Sequence, residues 1–216
     1  MRNRFDQQLE ELNELLIEMG ALCGSAVALD AKALELDDAA LREQAVQTDM
    51  KIDKLEREIE SLCLRLLLQQ QPVARDLRLI SAALKMITDM ERIGDQVSDI
   101  AEILTHRQLS ETSRPLPLRE MFQNVVRMVT DSVEAFVKKD LELARSVMEH
   151  DEIVDRLFDR TKFGLIDLLK IGGETAEDAI DLLMIAKYLE RIGDHATNIA
   201  EWVEFSITGI HVAPRD

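Results

Sequence analysis

Hydrophobic residues recur every three or four positions over most of the chain, which is the spacing of one face of an α-helix. The stripe Ala45, Ile52, Ile59 and Leu66 is one example, and it predicts a core seam. Short breaks separate the periodic stretches. The pattern predicts six long helices, at Asn3–Leu36, Asp38–Gln70, Ala74–Thr105, Leu118–Lys138, Leu141–Ile171 and Thr175–Ser206.

The breaks carry the residues that end helices. Pro72 and the pair Gly172 and Gly173 predict two tight turns. The polar, proline-bearing segment 107–117 predicts a linker near the middle of the chain. Two N-cap residues are expected, Asp37 and Asp140.

The two halves of the sequence repeat each other. Glu91-Arg-Ile-Gly-Asp95 recurs as Glu190-Arg-Ile-Gly-Asp194, 99 residues later. A second pair of matching segments lies 102 residues apart, Asp49-Met-Lys-Ile-Asp53 and Asp151-Glu-Ile-Val-Asp155. The repeat predicts an all-α fold of two tandem homologous three-helix bundles, residues 1–108 and 115–216, joined by the linker 107–117.

The repeated acids are placed symmetrically about the turns. In an antiparallel helical hairpin, residues equidistant from the turn lie at the same height. Asp49 and Asp95 are equidistant from Pro72, and so are Asp53 and Glu91. The second half repeats the construction about Gly172 and Gly173, with Asp151 facing Asp194 and Asp155 facing Glu190. Each half therefore gathers four carboxylates.

Four neighbouring carboxylates do not all stay ionised without a cation or several basic partners. Oxygen ligands suit iron, zinc, manganese, magnesium or calcium, so the sequence predicts a metal site in each half. The alternative, ion pairing with Arg92 and Arg191 inside the motifs, stays open. Additional candidate ligands lie nearby on the same predicted helices: Asp99, Glu102, His195, Asn198 and Glu201.

Gly94 and Gly193 occupy the same position of the two repeated motifs. A glycine inside a helix costs about 1 kcal/mol relative to alanine, so its recurrence needs a local cause. We expect close backbone approach, either to a neighbouring helix or to a metal.

The formal net charge is −16, with 42 acidic against 26 basic residues, which opposes binding to nucleic acid or anionic lipid. We therefore expect no direct contact with nucleic acid. Cys23 and Cys63 form no spaced motif and are predicted to be buried thiols in a reducing compartment. The charged N-terminus lacks a signal peptide pattern, and we expect a cytoplasmic protein that is not embedded in a membrane.

The repeated Glu-Arg-Ile-Gly-Asp segments with Asp-x-x-x-Asp on the partner helices resemble the PhoU family of bacterial phosphate-signalling regulators. Similar segments are Val73-Ala-Arg-Asp-Leu-Arg-Leu-Ile80 and the stretch from Tyr188 to Glu201. The resemblance covers the whole chain and implies two three-helix bundles whose acidic motifs bind metal clusters.

What the resemblance implies about function is a negative regulator, not an enzyme. Such a protein is an adaptor between the ATPase subunit of a phosphate ABC transporter and a phosphate-sensing histidine kinase. It keeps phosphate-starvation genes off when phosphate is plentiful, and a homodimer is expected.

Two alternatives belong to other classes. A carboxylate-bridged di-metal enzyme on a helical bundle would need Glu-x-x-His pairs. None of the four histidines, at positions 106, 150, 195 and 211, has a Glu three residues before it. A metal-stabilised scaffold with no link to phosphate is the other alternative, and the sequence leaves it open.

Overall fold

The computed structural model describes residues 2–36, 38–70, 72–105, 116–172 and 175–210. Those ranges form six helices and no strand. The helices are α1 (Arg2–Leu36), α2 (Ala39–Gln70), α3 (Ala74–Thr105), α4 (Leu118–Lys138), α5 (Leu141–Lys170) and α6 (Ala176–Thr208). The six predicted helices are confirmed, each end within two residues of its prediction. Most of the predicted linker lies outside the described residues, and the division into two domains stays a prediction.

The helices pack in two layers. Helices α2, α3, α6 and α5 lie side by side in that order, while α1 and α4 contact each other and cover them. One hydrophobic core runs through both halves. The predicted seam of α2 lies in it, since Ala45, Ile52, Ile59 and Leu66 are fully buried. The two three-helix bundles are therefore joined by direct contact between α3 and α6 and between α1 and α4.

Helices α3 and α6 run antiparallel and are related by an approximate twofold axis. Asn198 Nδ2 donates to Asp89 Oδ1 at 3.0 Å, and the Tyr188 hydroxyl lies close enough to Asp99 to lower the pKa of that acid. Asp89 and Tyr188 occupy equivalent positions of the repeat, and so do Asp99 and Asn198. The same two positions therefore meet twice, once on each side of the axis.

Side-chain caps fix where several helices begin. Asp140 accepts from the backbone N–H of Leu143 at 3.0 Å, which confirms it as the N-cap of α5. Before α2, the Asp38 carboxylate accepts from the backbone N–H of Ala40 at 2.8 Å. The other predicted cap, Asp37, lies outside the described residues.

Helix α1 is long and apolar enough, by length and composition alone, to cross a membrane, with a mean hydropathy of 1.4 over its most apolar window. Several of its apolar residues, among them Leu12, Leu16 and Met19, are fully buried in the core. Cys23 and Cys63 are free, buried thiols, as predicted.

Candidate metal-binding carboxylate clusters

The first cluster consists of Asp49 and Asp53 on α2 with Glu91 and Asp95 on α3. Asp49 lies deepest in it. Its Oδ2 accepts a hydrogen bond from Ser98 Oγ at 2.7 Å, whereas its Oδ1 is buried and has no hydrogen-bond partner among the described residues. A buried carboxylate oxygen without a donor is unfavourable, and a cation would satisfy it.

Gly94 makes room for that oxygen. A Cβ built at position 94 would clash with Asp49 Oδ1, and Ile52 Cδ1 would lie 3.5 Å from it. The close approach expected at this glycine is therefore made by the carboxylate of the neighbouring helix. At the equivalent Gly193, a Cβ would lie 3.4 Å from Asp151 Oδ1, which is ordinary contact. In both halves an aspartate faces the glycine, but the aspartate lies closer to the glycine in the first half than in the second.

Burial and mutual repulsion raise the pKa of acids in the first cluster. The pKa of Asp49 is raised, first by burial and then by the nearby Asp53, Asp95 and Asp99, against the bond from Ser98. The pKa of Glu91 is raised by burial and by Asp95, against Arg92. The structure therefore places Asp49 near Asp95, the partner expected from the turn geometry, and Asp53 also lies close enough to raise the pKa of Glu91.

Arginines neutralise the outer part of the first cluster. Arg92 Nη1 lies 3.0 Å from Asp95 Oδ2 and its Nε lies 3.4 Å from Glu91 Oε2, while Arg57 Nη2 lies 3.2 Å from Asp53 Oδ2. These arginine side chains are 54% and 74% exposed, so each pair contributes at most about 1 kcal/mol. Ion pairing is thus present in the first cluster, but no base among the described residues forms an ion pair with Asp49.

The second cluster consists of Asp151 and Asp155 on α5 with Glu190 and Asp194 on α6. The pKa of Asp194 is raised to about 6 by burial, then by Glu190 and Asp155, against Lys187. The pKa of Asp155 is raised by burial and by Glu190. Asp155 therefore lies near Glu190, as expected, and at Asp194 burial and the neighbouring acids outweigh the nearby Lys187 and His195.

Among the described residues a lysine, and not Arg191, forms an ion pair with an acid of the second cluster. Lys187 Nζ pairs with Glu190, and it also lies 5.5 Å from the ring centroid of Phe158. Arg191, the partner named in the ion-pairing alternative, lies close enough to Asp99 in the other half to lower the pKa of that acid. The spacing of Lys187 three residues before Glu190 was the available signal for this pair.

The additional candidate ligands fall into two groups. Asp99 and Glu102 extend the first cluster, because Asp95 and Glu102 both raise the pKa of Asp99 after burial does. His195 Nδ1 and Asn198 Nδ2 instead lie 2.9 and 3.0 Å from Asp89 Oδ1 on α3. The contact between α3 and α6 engages these atoms in this structure, and the role of both residues as additional ligands of the second cluster stays a prediction. Glu201 is half-buried, one turn after Asn198 on α6.

Both clusters have donors suited to a hard or borderline cation, namely carboxylate oxygens from two helices each. Among the described residues, no three His, Cys, Asp or Glu side chains converge closely enough in their present rotamers to hold an ion. The unpaired Asp49 Oδ1 and the raised pKa values fit a cation, which would bind after the exposed acids rotate inward. The role of these residues as metal ligands stays a prediction.

Comparison with known proteins places the whole fold among characterised relatives. A PhoU domain matches residues 16–104 and again residues 118–203. A phosphate-specific transport system accessory protein PhoU homolog of Clostridium acetobutylicum is 34% identical over 219 residues, covering 100% of this chain and 99% of the relative. The homolog of Zymomonas mobilis is 36% identical over 212 residues, covering 98% and 90%.

Solved structures agree with these relatives. The crystal structure of PhoU from Pseudomonas aeruginosa superposes with a TM-score of 0.89 at 33% identity, covering 95% of this chain and all of that one. The phosphate transport system regulatory protein PhoU from Streptococcus pneumoniae gives 0.87 at 28% identity, covering 97% and 100%. The chain belongs to the PhoU family.

Proposed function

We propose that this chain is an accessory protein of phosphate transport that negatively regulates phosphate uptake and phosphate-starvation signalling. It acts in the cytoplasm as a homodimeric adaptor between the ATPase subunit of a phosphate ABC transporter and a sensor histidine kinase. The support is the family, whose compared members are named as accessory or regulatory proteins and match this chain over nearly its whole length. It is not an enzyme on this proposal.

Metal binding is the part of the proposal that rests on this chain's own residues. The observation that carries it is the buried, unpaired Oδ1 of Asp49 beneath three further acids. A bound cation would offset the repulsion among the carboxylates. Since each cluster draws acids from two helices, the cation would also tie α2 to α3, and α5 to α6, and so set the surface that partners contact.

Exposed apolar side chains at one end of the α5–α6 hairpin support an adaptor role. Phe163 and Ile180 are 60% and 61% exposed, and three more exposed apolar residues share that end: Ile166, Leu169 and Met184. The equivalent positions of Phe163, Ile180 and Met184 in the first half are Ser61, Ser81 and Lys85. The first half also exposes apolar residues near its turn, among them Leu64 and Leu68. Phe163 and Ile180 add apolar area that the repeat does not require, and exposed apolar surfaces mark protein contacts.

A reporter of phosphate-starvation gene expression tests the proposed function. Deleting the gene should switch the reporter on in phosphate-rich medium, and the wild-type gene should switch it off again. The variant Glu190→Gln/Asp194→Asn should fail to restore repression. The control Asp167→Asn/Glu177→Gln removes two exposed acids of the same α5–α6 hairpin, one from each helix, and should repress normally. A reporter indifferent to the deletion would contradict the regulatory role.

A second arm tests the apolar surface. The variant Phe163→Ser/Ile180→Ser gives the second half the side chains of the first and should stay folded, because both residues are exposed. It should lose binding to the transporter ATPase in pull-down while keeping its metal content. Unchanged binding would place the transporter contact elsewhere.

A further inference from the structure

A cavity of about 270 Å³ lies where the first turns of α3 meet the last turns of α4 and α6. Three cationic side chains line it, Arg75 and Arg78 from α3 and Lys139 from the end of α4. Leu79 and Ile207 form part of its apolar wall, together with Phe136. Among the described residues, no acidic side chain lines the cavity.

The three cations lack the acidic partners that many other bases of the described residues have. Although the protein carries a net charge of −16, no described carboxylate forms an ion pair with Arg75, Arg78 or Lys139. The Nε of Arg78 is buried and has no hydrogen-bond acceptor among the described residues. A buried guanidinium N–H without an acceptor is unfavourable unless a ligand supplies one.

The fold holds two of these cations at the ends of helices. Lys139 is the C-cap of α4 with φ 54°, and its backbone N–H bonds to Ala135 O and Phe136 O. The side chain of Arg78 lies beside Gly209, the C-cap of α6. Its Cδ and Nε are 3.5 Å from the position that a Cβ on residue 209 would occupy. The positive end of α3 faces the same region, because Arg75 lies in its first turn.

The internal repeat does not explain these three cations. Glu174 and Glu177 occupy the positions equivalent to Arg75 and Arg78 in the second half. The basic pair therefore occurs once, although the two halves share their helices. Both arginines belong to the segment Val73–Ile80, which the metal clusters do not use.

We propose that this cavity binds a phosphate-type oxyanion, either free or carried on a small molecule. Two guanidinium groups and an ammonium group supply the forked and point-charge donors that bind such oxyanions. The volume exceeds that of a single phosphate, and the apolar wall suits the remainder of a larger ligand. The site goes beyond the metal-binding regulator proposed above and does not rest on it.

Calorimetric titration of the full, chelator-treated chain tests the site, because chelation removes any metal to which an anion could bind. Inorganic phosphate and pyrophosphate serve as the two probes, the second standing for phosphate on a larger molecule. Each of Arg75→Gln, Arg78→Gln and Lys139→Gln should weaken binding about tenfold or more, since each removes charge-assisted hydrogen bonds. The control of equal charge is Arg160→Gln on α5, whose side chain pairs with Glu120 near the opposite end of α4, and it should bind like wild type.

Saturable binding of either probe that the three variants weaken and Arg160→Gln does not supports the site, and the probe that binds more tightly identifies the source of the phosphate. Should Arg78→Gln fail to fold, the exposed Arg75 and Lys139 carry the test. Lack of saturable binding, or variants that lower only thermal stability, would show that the cations merely offset the negative ends of α4 and α6. Glu190→Gln/Asp194→Asn should leave phosphate affinity unchanged, which separates this proposal from metal binding.

Discussion

Asp49 Oδ1 occupies the space in which a side chain at position 94 would have to lie, so Gly94 and Asp49 depend on each other across two helices. Gly94→Ala should displace the carboxylate and weaken metal binding by the first cluster. Gly193→Ala is the matched control, because its Cβ would only touch Asp151 Oδ1 at 3.4 Å. Both variants gain up to about 1 kcal/mol in helix propensity, so a lower metal content in Gly94→Ala would not reflect unfolding. Equal metal content in both would contradict the role assigned to Gly94.

The pH dependence of stability tests the crowding of the second cluster. The pKa of Asp194 is raised from its ordinary 3.8 to about 6, so the folded, metal-free protein holds a proton that the unfolded chain releases. Stability should therefore fall as pH rises from about 4 to about 6, because the unfolded state binds fewer protons there. In thermal melts of chelated protein, Asp194→Asn should show a smaller fall than wild type. An identical fall would mean that Asp194 is not crowded by its neighbours.

Asp30 is a buried acid outside both clusters. It is fully buried on α1, neither carboxylate oxygen has a hydrogen-bond partner among the described residues, and burial raises its pKa well above 3.8. As the pH rises above 3.8, the free energy of unfolding should therefore fall by about 1.4 kcal/mol per pH unit. The fall should end when the pH reaches the pKa that Asp30 has in the folded protein.

Asp30→Asn should therefore be more stable than wild type at neutral pH and similar to it near pH 4, as measured by urea unfolding. Ser132, at the equivalent position of the second half, is also buried and donates to Val129 O at 2.9 Å. Asp30→Ser should therefore stabilise the protein in the same direction. Lower stability of both variants at neutral pH would show that Asp30 has an undetected partner.

The hairpin geometry was predictable from sequence because it depends only on helix spacing and on where the turns fall. Pro72 set the midpoint that brings Asp49 to the height of Asp95, and the repeat carried the same arrangement into the second half. Helix ends were equally predictable where a local cap existed, as at Asp140.

The contact between the halves was not predictable, because periodicity marks a buried face without naming the helix that covers it. His195 and Asn198 were therefore expected at the second cluster, although both bond to Asp89 of α3. Periodicity likewise did not show that Arg191 lies near Asp99 of α3. Lys187 is the residue that pairs with Glu190. The surroundings of the side chains at the contact between α3 and α6 were therefore the part that the sequence could not predict.

Metal stoichiometry tests the central claim most directly. Chelated protein is loaded separately with iron, zinc, manganese, magnesium or calcium, dialysed, and measured by elemental analysis. The account predicts that wild type retains metal in both halves, that Glu91→Gln/Asp95→Asn loses the share of the first cluster, and that Glu190→Gln/Asp194→Asn loses the share of the second. Retention of no metal by wild type under any loading, or the same metal content in all three proteins, would contradict it.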